Sequence, residues 1–262
     1  MTTPKNGILV ILGHKGSGKT QLARAFIAEQ PRSVCIDTIG EYGGVVIHDP
    51  ESLADYLERA KHLPRFRVSY RDKGLHPFTP EAVFRMLHSL RDCWLVLEEA
   101  DKWFGPNRQS DAVKWFLKYG RHHRISVLLV TRRAAEQGPM GTSQADTIVS
   151  FQMHEPRDLD WIASVGGRAV ADEVDALGQY EWTYVLDTST DLRAALDAIS
   201  GGSDDGPAPE IEEPEPVEKL PPVAGIDPPE TPTKQALSEA QEPPKRPRGR
   251  PRKVLDGTKG TP

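Results

Sequence analysis

Short apolar runs alternate with stretches of helical spacing from Ile8 to about Ile199, and beyond that point the alternation stops. Ile8–Leu12, Ser33–Ile36, Val45–Ile47, Phe66–Tyr70, Trp94–Leu97, Ile125–Val130, Thr147–Phe151 and Tyr180–Leu186 are runs of strand length, several of them apolar throughout. Continuous apolarity over so few residues marks strands buried on both faces. Between them, Thr20–Gln30 places Leu22, Ala25, Phe26 and Ala28 at helical spacing before Pro31 stops it. Similar spacing predicts helices over Ser52–Lys61, Pro80–Leu90, Asp111–Tyr119, Arg157–Ser164, Ala169–Leu177 and Leu192–Ile199. Strands alternating with helices predict an α/β fold with right-handed crossovers and a mostly parallel sheet carrying helices on both faces.

Composition divides the chain at the same place. Of the 23 prolines, 14 follow residue 200. Residues 201–244 hold eleven acidic residues against two lysines, and 245–253 hold six basic residues and no acid. The formal net charge of -5 therefore averages an acidic spacer with a basic cluster. The expected organisation is a domain over 1–200, a disordered acidic Pro-rich linker over 201–244, a basic motif over 245–253 and a disordered end over 254–262. Cys35 and Cys93 sit in or beside strand-like runs and read as small core residues, with neither a disulfide framework nor metal-ligand spacing. Met1–Asn6 leads into the first strand without a signal-peptide apolar region, and no stretch approaches the roughly 20 apolar residues a membrane span needs. A cytoplasmic protein without a membrane span is expected.

The first strand runs directly into Gly13-His14-Lys15-Gly16-Ser17-Gly18-Lys19-Thr20. This matches the Walker A pattern at every fixed position, with a strand before it and a helix after. Glycines let successive backbone N–H groups turn onto phosphate oxygens, and the following helix adds its positive N-terminal end. Gly13, Gly16, Ser17, Gly18, Lys19 and Thr20 are thus the expected nucleotide-binding residues. Lys19 would reach the β- and γ-phosphates of ATP, and the Thr20 hydroxyl would ligate Mg²⁺.

Trp94-Leu95-Val96-Leu97-Glu98-Glu99 has the Walker B form, an apolar strand delivering carboxylates at its C-terminal end. Glu98 would hold Mg²⁺ through a water, and Glu99 would orient the attacking water, which favours hydrolysis over small-molecule phosphorylation. Asp is commoner at the first of these positions. Asp101, two residues on, reads as a helix-start or surface residue.

Four segments in this order resemble the HerA/FtsK superfamily of P-loop ATPases, and within it the small genome-packaging ATPases of tailless double-stranded DNA viruses. They are Gly13–Thr20, Ile36-Asp37-Thr38-Ile39-Gly40-Glu41-Tyr42, Leu95–Asp101, and Gly120-Arg121-His122-His123-Arg124 running on to Thr131-Arg132-Arg133. Ser143–Val149 and Glu155–Leu159 add support. The resemblance covers about residues 7–187 and implies a RecA-like (ASCE) P-loop NTPase fold. It further implies an oligomer, as a hexameric ring, in which Arg121 reaches the neighbouring subunit's ATP, with Arg124 as the second candidate. Arg132 stands where the family usually carries a phosphate-sensing Gln. Asp37, Glu41 and Tyr42 match the family without a role derivable from sequence, and a satisfied turn explains them equally well.

Lys245-Arg246-Pro247-Arg248-Gly249-Arg250-Pro251-Arg252-Lys253 resembles an AT-hook. The minor groove of A·T-rich DNA is narrow and strongly negative, which attracts inserted arginines. Arg248 and Arg250 would lie along it, Gly249 would let the backbone approach the floor, and Pro247 and Pro251 would hold the arms extended. The expected function is ATP-driven translocation of double-stranded DNA, as in viral or prophage genome packaging. A capsid or portal-vertex partner and a virion-associated location in a bacterial or archaeal host belong to that reading. The alternatives are a nucleotide-gated DNA-binding or regulatory protein with little turnover, and a Zot-like phage-assembly ATPase, a type that usually carries a membrane span.

Overall fold

The computed structural model describes residues 7–72, 80–104, 110–135 and 143–200. In chain order they form β1 (Ile8–Leu12), α1 (Lys19–Ala28), β2 (Arg32–Ile36), β3 (Val45–Ile47), α2 (Pro50–Ala60), β4 (Phe66–Tyr70) and α3 (Pro80–Met86). There follow β5 (Cys93–Leu97), α4 (Asp101–Phe104), α5 (Asp111–Tyr119), β6 (Ile125–Thr131) and β7 (Thr147–Phe151). The described part closes with α6 (Pro156–Gly166), α7 (Arg168–Ala176), β8 (Trp182–Asp187) and α8 (Thr190–Ser200). The segments 201–244, 245–253 and 254–262, including the AT-hook-like run, lie outside the described residues.

The strands make one eight-stranded sheet in the order β3-β4-β2-β5-β6-β1-β7-β8. Neighbouring strands are parallel from β3 to β7, and β8 closes the sheet antiparallel to β7. Parallel neighbours need crossovers that leave helices on the sheet faces, and alternate strand residues divide between those faces. Leu9 and Ile11 of β1 pack with Leu22, Phe26 and Ile27 of α1 and Leu192 and Leu196 of α8. Ile8, Val10 and Leu12 face the opposite cluster, with side chains of α2, α3, α5, α6 and α7. Both faces are therefore covered, which explains the unbroken apolar runs of the central strands. Cys35 and Cys93 are free and buried, as expected of core residues.

Local signals set the helix starts. Asp49 caps α2 by accepting from Ser52 N at 2.8 Å, with Pro50 in the first turn. Ser110 caps α5 by accepting from Val113 N at 3.2 Å. Asp101 begins α4. Most boundaries shift by one or two residues from those expected, and two of the changes have a clear local cause. The helix from Pro80 ends at Met86 and tightens into a 3₁₀ turn at Leu87–Ser89, because Leu90 is already extended. The last strand begins at Trp182 rather than Tyr180. Glu181 folds its carboxylate back to accept from Gly178 N at 2.7 Å, and Tyr180 takes φ +67°, outside any strand.

Phe26 of α1 is fully buried, its ring meeting that of Trp94 edge-on at 4.9 Å between centroids. This contact fixes the helix that follows the glycine-rich loop to the strand that carries Glu98. Phe26→Ala should cost about 3–5 kcal/mol of unfolding free energy, measured by chemical denaturation.

Candidate nucleotide site

The order of strands brings the sequence motifs together at one end of the sheet. β6 lies between β1 and β5, so the C-terminal ends of three adjacent strands deliver Gly13, Thr131 and Glu98 to the same edge. Ligands of open parallel sheets bind there. A cleft of about 520 Å³ opens at this edge, lined by Gly16, Gly18, Lys19, Thr20, Glu98, Glu99, Thr131 and Arg132 among others.

The loop backbone needs its glycines. Gly13 has φ +151°, and a Cβ there would meet Ser17 Oγ at 2.6 Å and Phe151 Cβ at 2.7 Å. Gly18 has φ +107° and stands at the N-cap of α1 without any side-chain cap, leaving first-turn N–H groups for a ligand. Lys19 is buried, and its Nζ donates to the His14 carbonyl at 2.8 Å, closing the loop on itself. Burial lowers its ammonium to about 8, with Glu98 opposing and Arg132 adding to the fall. A phosphate in the loop would restore the charged form.

Thr20 Oγ1 donates to Glu98 Oε1 at 3.4 Å, and Tyr42 Oη donates to Glu98 Oε2 at 2.8 Å. Glu98 is buried, and desolvation pushes its carboxyl up to about 7, despite the hydrogen bond from Tyr42 and the charge of Lys19. The Thr20 hydroxyl and Glu98 carboxylate together present hard oxygen donors beside the loop, which fits Mg²⁺ held partly through water. Such an ion would favour the ionised carboxylate.

Tyr42 owes its position to Asp37. The Asp37 carboxylate is fully buried and accepts from Gly40 N at 2.9 Å, Glu41 N at 2.8 Å and Tyr42 N at 3.1 Å. Arg71, at the end of β4, donates to it from Nε at 2.9 Å and to the Tyr42 carbonyl at 2.7 Å. The turn expected from sequence is thus present, and it also aims a buried tyrosine at Glu98. Arg71 carries no sequence signal; its importance arises only because β4 lies beside β2.

Glu99 sits just past β5 with φ +50°, an uncommon conformation for a residue with a Cβ. Its carboxylate accepts from Thr38 Oγ1 at 3.3 Å, pairs with Arg132 at 3.0 Å and contacts Lys102. Burial opposes ionisation, but the Lys102 hydrogen bond and the two cations prevail and hold its carboxyl below the usual range. Asp101 accepts from Thr131 Oγ1 at 3.2 Å, tying α4 to the end of β6.

Arg121 stands apart from this cleft. It lies in the 3₁₀ turn before β6, at the opposite end of a seven-residue strand. At about 3.3 Å per residue that separation is roughly 20 Å. Its guanidinium contacts both Asp146 oxygens, at 2.7 and 2.9 Å, while Asp146 also accepts from Ile8 N at 2.8 Å. Arg124 pairs with Asp92. Arg248, Gly249, Arg250 and Pro251 lie outside the described residues. No group of metal-binding side chains of three or more members occurs among the described residues, and no helix there is long and apolar enough to cross a membrane.

The glycine-rich loop between β1 and α1, with paired carboxylates one strand removed, is the arrangement of a P-loop NTPase. The profile of the AAA domain matches residues 3–137, more than half of the chain. The chain belongs to the AAA domain family. Its fold is similar to that of the genome packaging NTPase B204 from Sulfolobus turreted icosahedral virus 2. With AMP bound, that structure is 22% identical at a TM-score of 0.57, over 68% of this AAA domain protein and 92% of that chain. With AMPPCP bound, the values are 24%, 0.56, 68% and 91%. The crystal structure of B204, the DNA-packaging ATPase from Sulfolobus turreted icosahedral virus, gives 22%, 0.51, 69% and 92%. These likenesses establish a shared fold. No curated protein matches the chain.

The raised carboxyl of Glu98 has a consequence for the nucleotide-free AAA domain. Its folded pKa lies above the unfolded value near 4.5, so the native state holds the extra proton between them and loses relative stability as pH rises through that window. Glu98→Gln removes this penalty. The melting temperature of the variant relative to wild type should therefore climb between about pH 5 and about pH 8.

Proposed function

We propose that this protein hydrolyses ATP with Mg²⁺ and uses the energy to move double-stranded DNA, as a member of the HerA/FtsK group that packages a viral or prophage genome. The observation that carries the hydrolytic part is the second carboxylate, Glu99, standing beside Arg132 and Lys102 at the mouth of the cleft that also holds Lys19, Thr20 and Glu98. Gly13, Gly16, Ser17 and Gly18 turn backbone N–H groups to the phosphates, and Lys19 exchanges the His14 carbonyl for phosphate oxygens. Thr20 and Glu98 would hold Mg²⁺, which when bound neutralises charge on the β- and γ-phosphates. Glu99 orients the attacking water. Arg132, in place of the usual glutamine, would meet the γ-phosphate, and that contact draws it off Glu99.

Arg121 is the proposed trans-acting arginine. Its distance from its own cleft supports that role, since it can serve only a site that a neighbouring protomer brings to it. In doing so it would exchange Asp146 for a phosphate, giving up a half-exposed pair worth about 0–1 kcal/mol. A homo-oligomeric ring, taken as a hexamer, follows from this assignment, with a capsid or portal-vertex protein as its docking partner and the virion as its location.

The DNA part draws on two supports. One is the fold shared with proteins described as genome packaging and DNA-packaging enzymes. The other is the run Lys245–Lys253, in which Arg248, Gly249, Arg250 and Pro251 have the chemistry of an A·T-rich minor-groove ligand. The acidic segment 201–244 would serve as a tether holding DNA near the ATPase.

A second reading is favoured by one specific observation, the Arg132–Glu99 pair. If ATP does not break it, the base stays occupied, and the protein is a nucleotide-gated DNA-binding protein with slight turnover. The two readings separate in one assay. ATP hydrolysis by the full chain should rise on adding double-stranded DNA, and Glu99→Gln should abolish turnover while ATP binding survives. Turnover that is absent from the wild type, or indifferent to DNA, overturns the motor.

The tail has its own test. Arg250→Ala should weaken binding to an A·T-rich duplex more than to a G·C-rich one, measured at fixed salt. Equal losses on both would reduce 245–253 to a plain polycation.

A further inference from the structure

The sheet order gives a bound nucleotide a direction. β6 flanks β1 on one side and β7 on the other. Glu98, Glu99 and Arg132 all enter the cleft from the β5 and β6 side. A triphosphate seated on Gly13–Thr20 with its terminal group toward them must trail its nucleoside toward β7 and β8. On that wall of the cleft stands the aromatic ring of Tyr180.

Tyr180 is 58% exposed, although it carries one of the larger side chains of the domain. Its ring lies against the last glycine of the loop. A Cβ built on Gly18 would come 3.1 Å from Tyr180 Cδ1 and 3.0 Å from Cε1 of Phe151, the buried residue that ends β7. The ring therefore flanks the first turn of α1 and lines the cleft. The turn presenting it is braced by the hydrogen bond from Gly178 N to the Glu181 carboxylate at 2.7 Å. Tyr180 itself is held at φ +67°, a conformation rare for bulky residues that persists only where its surroundings enforce it. A residue more than half exposed in this way adds little to the core.

We infer that Tyr180 stacks on the base of the bound nucleotide and is a specificity-neutral affinity residue of the cleft. This rests on the ATP-binding reading above. Stacking uses the π-face that every base shares, so Tyr180 contributes to holding ATP and GTP alike and leaves the choice between them to hydrogen-bonding groups.

The test compares ATP, GTP and inorganic tripolyphosphate as ligands of the full chain by calorimetric titration, with Lys19→Ala as the control for the phosphate loop. Tyr180→Ala should weaken ATP and GTP about tenfold each and leave tripolyphosphate unchanged. Tyr180→Phe, which keeps the ring, should retain wild-type affinity for both nucleotides. Equal weakening of all three ligands would mean that Tyr180 only supports the loop, and unchanged nucleotide affinity would mean that no stacking occurs; either overturns the inference. A failure of the ATP reading looks different, because wild type and Lys19→Ala would then bind none of the three distinguishably.

Discussion

Asp37 is a carboxylate removed from solvent altogether, and a lone charge so placed would cost several kcal/mol. Its solution is to accept from three consecutive backbone N–H groups and from Arg71. That arrangement does more than satisfy one residue. It winds the segment after β2 so that Tyr42 enters the interior, it fastens that segment to β4, and it aims the Tyr42 hydroxyl at Glu98. Thr20 then reaches Glu98 from the other side. Four elements, β2, β4, β5 and α1, are thus tied through two buried carboxylates whose partners are all polar. Removing Arg71 would leave the Asp37 carboxylate short of a partner, and removing Tyr42 would do the same to Glu98.

The chemical poles of the cleft follow from where strands end. β1 supplies a loop of backbone donors, β5 supplies acids, and β6 inserts between them a threonine and an arginine. Because β6 is interposed, β5 lies two strand spacings from β1, about 10 Å between backbones. Arg132 bridges that interval toward Glu99. A glutamine there could donate to phosphate without neutralising a carboxylate, whereas an arginine has two anions to choose between. An arginine in place of a glutamine therefore changes the physics of the site, and the geometry makes the competition local.

Much of this was legible in the sequence, for physical reasons that differ by residue. The loop at Gly13–Thr20 is a local object whose function depends on spacing within one turn, so eight residues carry it. Glu98 and Glu99 were readable because an apolar run of strand length must end somewhere, and acids at that end have few structural uses. The core was readable because the central strands are buried on both faces. Tyr42 and Arg71 were not, since their partners lie 56 and 34 residues away and only the strand order joins them. Tyr180 was obscured for the opposite reason. Its neighbours Trp182, Tyr184 and Leu186 alternate as a strand should, and the alternation absorbed it into β8.

Glu99 illustrates when a protein does its preparatory work. Its left-handed backbone is set by the passage from β5 into α4 and by Ala100 N donating to Val130 O at 2.9 Å, contacts that exist before any ligand arrives. The unfavourable conformation is thus part of the ligand-free fold itself. A ligand entering the cleft therefore meets a carboxylate already pre-positioned and partly balanced by Arg132 and Lys102.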